Sequence, residues 1–232
     1  MPNRRYGFGW KDLFRGKRKG ASPEVRKFLE EHKGSKIVKL RVGRQPISAP
    51  LAKAINVLTG GRYERTRRQK GYDDFNHVFA EITLNTGETF KIEKNHVVEV
   101  QNITHDKSYG GKKYEVTNVE LNRMIPVSEF LSNGERYQDQ KKAHNFWEYD
   151  AATANCQYFV DDLVEGNKDA IARPEQTREF YFQPGAEEAV GPARNISKSL
   201  TDLAAYADTI VHGQGMHRHA RRRHRDSPYY KL

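Results

Sequence analysis

Two alternating segments joined by a short glycine turn constrain this chain more than any other feature. Residues 75–84 (Phe-Asn-His-Val-Phe-Ala-Glu-Ile-Thr-Leu) and 88–94 (Glu-Thr-Phe-Lys-Ile-Glu-Lys) flank Asn85-Thr86-Gly87. A three-residue loop with glycine at its left-handed position is a favoured hairpin connection. Closing Leu84 on Glu88 sets Ile82 opposite Phe90, Ala80 opposite Ile92 and Val78 opposite Lys94 on one mostly apolar face. On the other face Phe79 meets Glu93, and His77 gains Asn95 as a polar neighbour able to fix its ring. A five-residue loop is the alternative. It brings Glu93 near Glu81 and Asn95 beside Phe79.

The hairpin sits in a β-rich centre, with strands expected at 75–84, 88–94, 96–102 and 113–120. An earlier strand is expected at 37–42. Helices flank this centre. Ser22-Pro23-Glu24 supplies a cap, a first-turn proline and an early acid, so a helix is expected to run to about His32, burying Val25, Phe28 and Leu29. A second is expected at 49–59, with Leu51, Ala54, Ile55 and Leu58 on one face. Residues 62–71 read as a basic surface loop, and a short helix around 127–132 is expected to stop at Asn133-Gly134. The expected fold class is α+β, a small antiparallel sheet packed on helices.

The sole cysteine, Cys156, opens the segment Asn155-Cys-Gln-Tyr-Phe-Val-Asp-Asp-Leu-Val164. Cys156, Phe159, Val160, Leu163 and Val164 recur at helical spacing on one face. Thr153 or Asn155 is placed to cap the helix start. Cys156 then lies in the first turn, where unpaired N–H groups and the helix dipole favour a thiolate. A cysteine on an apolar helix face also serves as a small buried hydrophobe. One cysteine excludes an intrachain disulfide and any cysteine-based zinc cluster, and no cofactor or metal is expected.

His77 opening a hairpin, and Cys156 within Asn-Cys-Gln-x-Phe-Val, resemble the H-box and NC-box of the lecithin retinol acyltransferase-like family. That family is a circularly permuted branch of the papain-like superfamily, with members in several virus groups. The similarity covers roughly residues 74–164. It implies a permuted papain-like fold, Cys156 as nucleophile, His77 as general base, and a polar residue on the next strand to orient the histidine. Family members often carry histidine in that third place; here Asn95 or Glu93 must serve. Val78-Phe79 stands where a small residue commonly follows the family's strand histidine. Backbone N–H groups at the helix start, with Asn155 and Gln157 beside the thiol, are the expected oxyanion and capping elements. The implied activity is a cysteine-dependent hydrolase or acyltransferase acting on a lipid ester or peptide-like bond.

Charge divides the chain differently. The net charge is +10, yet residues 1–20 hold seven Lys/Arg against Asp12, and residues 213–232 hold six against Asp226. The body between them is nearly neutral, so attraction to a polyanion belongs to the ends. Residues 1–21 are expected to form a basic arm in which Arg4, Arg5, Lys17, Arg18 and Lys19 interleave with aromatics including Trp10. Residues 213–232 form a His-rich tail with Arg221, Arg222 and Arg223. Nucleic acid or an anionic membrane is the expected partner of these arms, and capsid or other virion proteins are further candidates. The expected organisation is completed by an α+β domain at 22–165, an irregular linker at 166–195 with a short strand at 179–182, and an amphipathic helix at 196–212 capped by Asn195. No apolar run reaches the roughly 18 residues needed to span a bilayer, and the N-terminus lacks the apolar stretch of a secretory signal. The setting implied is intracellular and reducing, or within a virion. A second function class follows: a catalytically silent structural module of a viral particle that makes contacts through its arms. A third is a nucleic-acid-binding protein with an unrelated α+β core.

Overall fold

In the computed structural model, residues 21–95, 97–106, 114–140, 146–147 and 154–190 are described. Both basic arms, save Ala21, and the 196–212 segment lie outside them, including Arg4, Arg5, Trp10, Lys17, Arg18, Lys19, Arg221, Arg222 and Arg223. The elements run α1 (Pro23–Glu31), β1 (Lys36–Pro46), α2 (Ala49–Leu58), α3 (Arg62–Gln69), β2 (Asn76–Leu84), β3 (Thr89–Lys94), β4 (Val98–Asn102) and β5 (Glu115–Val119). They continue with β6 (Ile125–Pro126), α4 (Val127–Gln140), α5 (Cys156–Gly166), α6 (Pro174–Tyr181) and α7 (Ala186–Val190). The fold is α+β: a curled antiparallel sheet in the order β4-β3-β2-β1-β5, with β6 against β1, packed with helices.

The hairpin forms with the three-residue loop. Leu84 N–H donates to the Glu88 carbonyl at 2.8 Å and Gly87 N–H to the Leu84 carbonyl at 2.9 Å. Gly87 takes φ +90°, the left-handed conformation the turn demands. Phe79 pairs with Glu93, Ala80 with Ile92 and Ile82 with Phe90. The ladder ends there. The expected Val78–Lys94 and His77–Asn95 pairs do not form, because β3 turns back: Asn95 N–H donates to the Val97 carbonyl at 3.0 Å and Lys94 pairs with Val98 of β4.

Val78, Ala80, Ile82 and Ile92 face a core shared with Phe159, Val160 and Leu163 of α5 and with Val25, Phe28 and Leu29 of α1. Burying each large aliphatic or aromatic side chain contributes about 1.5–3 kcal/mol. Helix α1 starts as its residues dictate, with Ser22 Oγ accepting from Val25 N–H at 3.2 Å. The opposite face of the hairpin is covered too. Phe79 clusters there with Ile103 and Tyr114, so both faces of β2 are buried.

Four expectations about secondary structure are corrected. Residues 62–69 form a helix, not a loop: Tyr63 and Thr66 are buried one turn apart, and Glu64 pairs with Arg67 at 2.8 Å and Arg68 at 2.7 Å, the spacing that stabilises a polar helix. Helix α4 continues through Asn133-Gly134, where glycine permits close helix contact. A Cβ on Gly134 would stand 3.0 Å from Leu163 Cδ2, and one on Gly166 only 2.5 Å from the Asn133 carbonyl oxygen. Residues 166–190 are no linker, since they carry α6 and α7. Within them, 179–182 is not a strand but the end of α6 and its cap, because Thr177 and Tyr181, four apart, both turn inward. The Tyr181 hydroxyl donates to Asp161 at 3.1 Å, which makes this segment part of the same packed body as α5. Leu58, expected on the buried face of α2, is 41% exposed.

Candidate active site

The site lies where β2 begins and α5 begins. Asn155 caps α5, its Oδ1 accepting from the N–H groups of Gln157 at 3.0 Å and Tyr158 at 3.2 Å. Asn155 is one of the two expected caps; the other, Thr153, lies outside the described residues. Cys156 therefore occupies the first turn and is 8% exposed. His77 is the second residue of β2, paired across the sheet with Gln45.

Thiol and imidazole meet. The Cys156 side chain and the His77 ring stand close enough for each to act on the other's charge, the thiolate raising the imidazole and the imidazolium lowering the thiol. Across the ring, His77 Nε2 stands 2.8 Å from Glu93 Oε2, a diagonal neighbour on the same sheet face. With Nε2 turned to Glu93, Nδ1 is the nitrogen left for the sulfur. Glu93 also receives Lys91, whose Nζ lies 2.5 Å from the same carboxylate oxygen.

Electrostatics follow from this chain of contacts. Burial works against a charged imidazole, but the Cys156 thiolate and then the Glu93 carboxylate outweigh it and raise His77 to a pKa of about 10. Burial likewise works against the thiolate. The His77 charge and hydrogen bond overcome it, helped by the backbone N–H groups of Val78 and of Cys156 itself, so Cys156 lies below its ordinary value. For Glu93, burial opposes ionisation, yet His77 and Lys91 bring its pKa down to about 2. Each group thus favours the charged form of its neighbour: thiolate, imidazolium and carboxylate support one another along this chain of contacts.

Of the two expected orienting residues, Glu93 contacts His77 and Asn95 does not. Asn95 Nδ2 donates instead to Glu99 at 3.0 Å, as the turn into β4 requires. Gln157, expected beside the thiol as an oxyanion or capping group, has its amide engaged elsewhere. Its Oε1 accepts from Gln183 N–H at 2.9 Å and its Nε2 donates to Gln183 Oε1 at 3.4 Å. Gln183 in turn accepts from Asn76 N–H at 2.8 Å and donates to the Asp74 carbonyl at 2.8 Å. Gln157 thus ties the start of α5 to the residues just before His77. The Gln157 and Tyr158 N–H groups are held by the Asn155 side chain, which leaves the N–H of Cys156 as the donor from the helix start, alongside the Val78 N–H from β2.

Three participants went unrecognised in the sequence: Lys91, Gln183 and the Val78 N–H. For Lys91 a signal was present, since it precedes Glu93 by two and shares its face. Gln183 had none, being a polar residue in a segment read as irregular. Among the described residues, no group of three or more His, Cys, Asp or Glu side chains is placed to hold a metal ion, and no helix is long and apolar enough to cross a membrane. Compared with family models, curated proteins and solved structures, the chain finds no match in any of the three.

Proposed function

We propose that this chain is a cysteine-dependent acyl-transfer enzyme, a hydrolase or acyltransferase, with Cys156 as nucleophile, His77 as acid–base and Glu93 as the group that orients His77. One observation carries the reading: the thiol at the first turn of a helix and the strand imidazole are paired, with a carboxylate on the imidazole's far side. A nucleophile, a base in contact with it and a third group holding that base are the recurring parts of such sites. Histidine precedes cysteine along the chain, the order implied by a permuted papain-like architecture, and the resemblance to the lecithin retinol acyltransferase-like boxes supports an ester or amide carbonyl as the target.

In this mechanism the Cys156 thiolate adds to the carbonyl carbon, and the Cys156 N–H donates to the developing oxyanion. The bond to the leaving group breaks as His77 delivers its proton to the departing alcohol or amine. Neutral His77 then takes a proton from water or an acceptor hydroxyl, which adds to the thioester, and the thiolate leaves with the acyl group transferred. Glu93 stabilises the imidazolium at both charged stages.

The test uses the full chain with a panel of p-nitrophenyl esters and acyl thioesters, reading nitrophenolate release and early-quenched intact mass. Release with an acyl adduct on Cys156, lost in Cys156→Ala and strongly slowed in His77→Asn, is the expected result. A panel that gives no adduct and no release above the Cys156→Ala level overturns the enzymatic reading in favour of a silent module.

A further inference from the structure

Lys91 is an unusual residue to find where it is. Its side chain is only 11% exposed, and burying an ammonium is costly unless it is paired. It lies two residues before Glu93 on β3, and its Nζ sits 4.7 Å from the centre of the Phe79 ring. The oxygen it contacts, Glu93 Oε2, is the one that also contacts His77 Nε2. The same sheet face holds other charged groups, with Lys39 at its far end across from Thr83. Glu81 of β2, across from Lys91, is paired with Arg41 of β1 at 2.5 Å. Glu99 of β4 stands directly across from Glu93 and accepts from Asn95. Like charges directly opposite one another in a sheet repel, so Glu99 and burial both work against an ionised Glu93. Lys91 is the cation that contacts Glu93 from its own strand.

We propose that Lys91 is a positioning residue of the Cys156–His77–Glu93 site: its ammonium holds the Glu93 carboxylate ionised and aimed at His77 Nε2, and it acts on His77 only through Glu93. The consequence for rate rests on the catalytic reading above, but the consequence for His77 does not, because it is read without substrate. Two effects of opposite sign separate positioning from simple proximity. If Lys91 were merely a nearby cation, removing it would favour the imidazolium and raise the His77 pKa. If it holds Glu93 in place, removing it costs His77 its carboxylate and lowers that pKa.

The experiment titrates the His77 ring by NMR in the full chain, its resonance identified by its disappearance in His77→Asn. In Lys91→Met the His77 pKa falls by about one to two pH units, the worth of one charge-assisted hydrogen bond, and Lys91→Arg restores it. With an ester substrate, kcat falls in Lys91→Met while KM is unchanged, and Lys91→Arg recovers kcat. A His77 pKa that rises or stays constant in Lys91→Met overturns the proposal. Should Lys91→Met fail to give a cooperative thermal melt, Lys91→Gln, which keeps chain length and a neutral donor, is judged by the same sign. Loss of acyl transfer in the wild-type chain itself sinks the catalytic reading while leaving the Lys91 shift readable.

Discussion

Replacing Glu93 by glutamine removes one charge from the site and little else, because the amide keeps the shape of the carboxylate and its carbonyl still accepts from His77 Nε2. The contact at stake is the 2.8 Å approach of His77 to Glu93, with Glu93 only 11% exposed and so poorly screened by water. A hydrogen bond to a charged partner is worth about 1.5–3 kcal/mol against roughly 1 for a neutral one. The difference, about 0.5–2 kcal/mol, at ~1.4 kcal/mol per pKa unit means that His77 should fall from about 10 by roughly half to one and a half pH units. Lys91 pushes the same way, since its charge would face the imidazolium without Glu93 between them. The weaker imidazolium supports the thiolate less, so the Cys156 pKa rises. Two assays read this: NMR titration of the His77 ring, and the pH dependence of Cys156 alkylation by iodoacetamide, whose acid limb should move up in pH. Asn95→Ala is the control and should leave both curves in place. Unchanged curves in Glu93→Gln, or equal displacement in Asn95→Ala, would refute the assignment of Glu93 as the orienting group.

Three further outcomes are expected. His77→Asn returns Cys156 toward the ordinary thiol range, so alkylation at pH 7 slows by about tenfold or more, as the loss of a pairing cation implies. Glu93 has its folded pKa depressed from 4.5 to about 2, so its stabilisation is present above pH 4.5 and is lost as pH falls toward 2. At ~1.4 kcal/mol per unit this is on the order of 3 kcal/mol, and urea unfolding of wild type should weaken between pH 6 and pH 3 more than that of Glu93→Gln. Gly166→Ala places a Cβ against the Asn133 carbonyl oxygen and must push α4 from α5, costing roughly 1–3 kcal/mol, whereas Gly34→Ala, with nothing within 4 Å, should change the unfolding midpoint little.

How much was legible beforehand depended on how local the cause was. The Asn85-Thr86-Gly87 loop carries its own conformational demand, and Leu84 and Glu88 beside it set the register of every pair down to Phe79–Glu93. The Asn155 cap and the spacing of Phe159, Val160 and Leu163 likewise fix the start of α5 and its inward face. Each of these involves residues a few positions apart, within reach of steric and hydrogen-bonding rules that need no third partner.

The choice between Glu93 and Asn95 was not of that kind. It turned on where the β2–β3 ladder stops, and the turn into β4 decides that by drawing Asn95 toward Val97 and Glu99. The helix at Pro174–Tyr181 was hidden for a related reason: an aromatic run with strand propensity becomes helical because Tyr181 and Arg178 reach Asp161 on α5. Alternation and capping, properties of neighbouring residues, determined the hairpin and the placement of the thiol. Only tertiary contact, which acts between residues dozens of positions apart, decided which carboxylate stands behind His77 and which lysine stands behind that carboxylate.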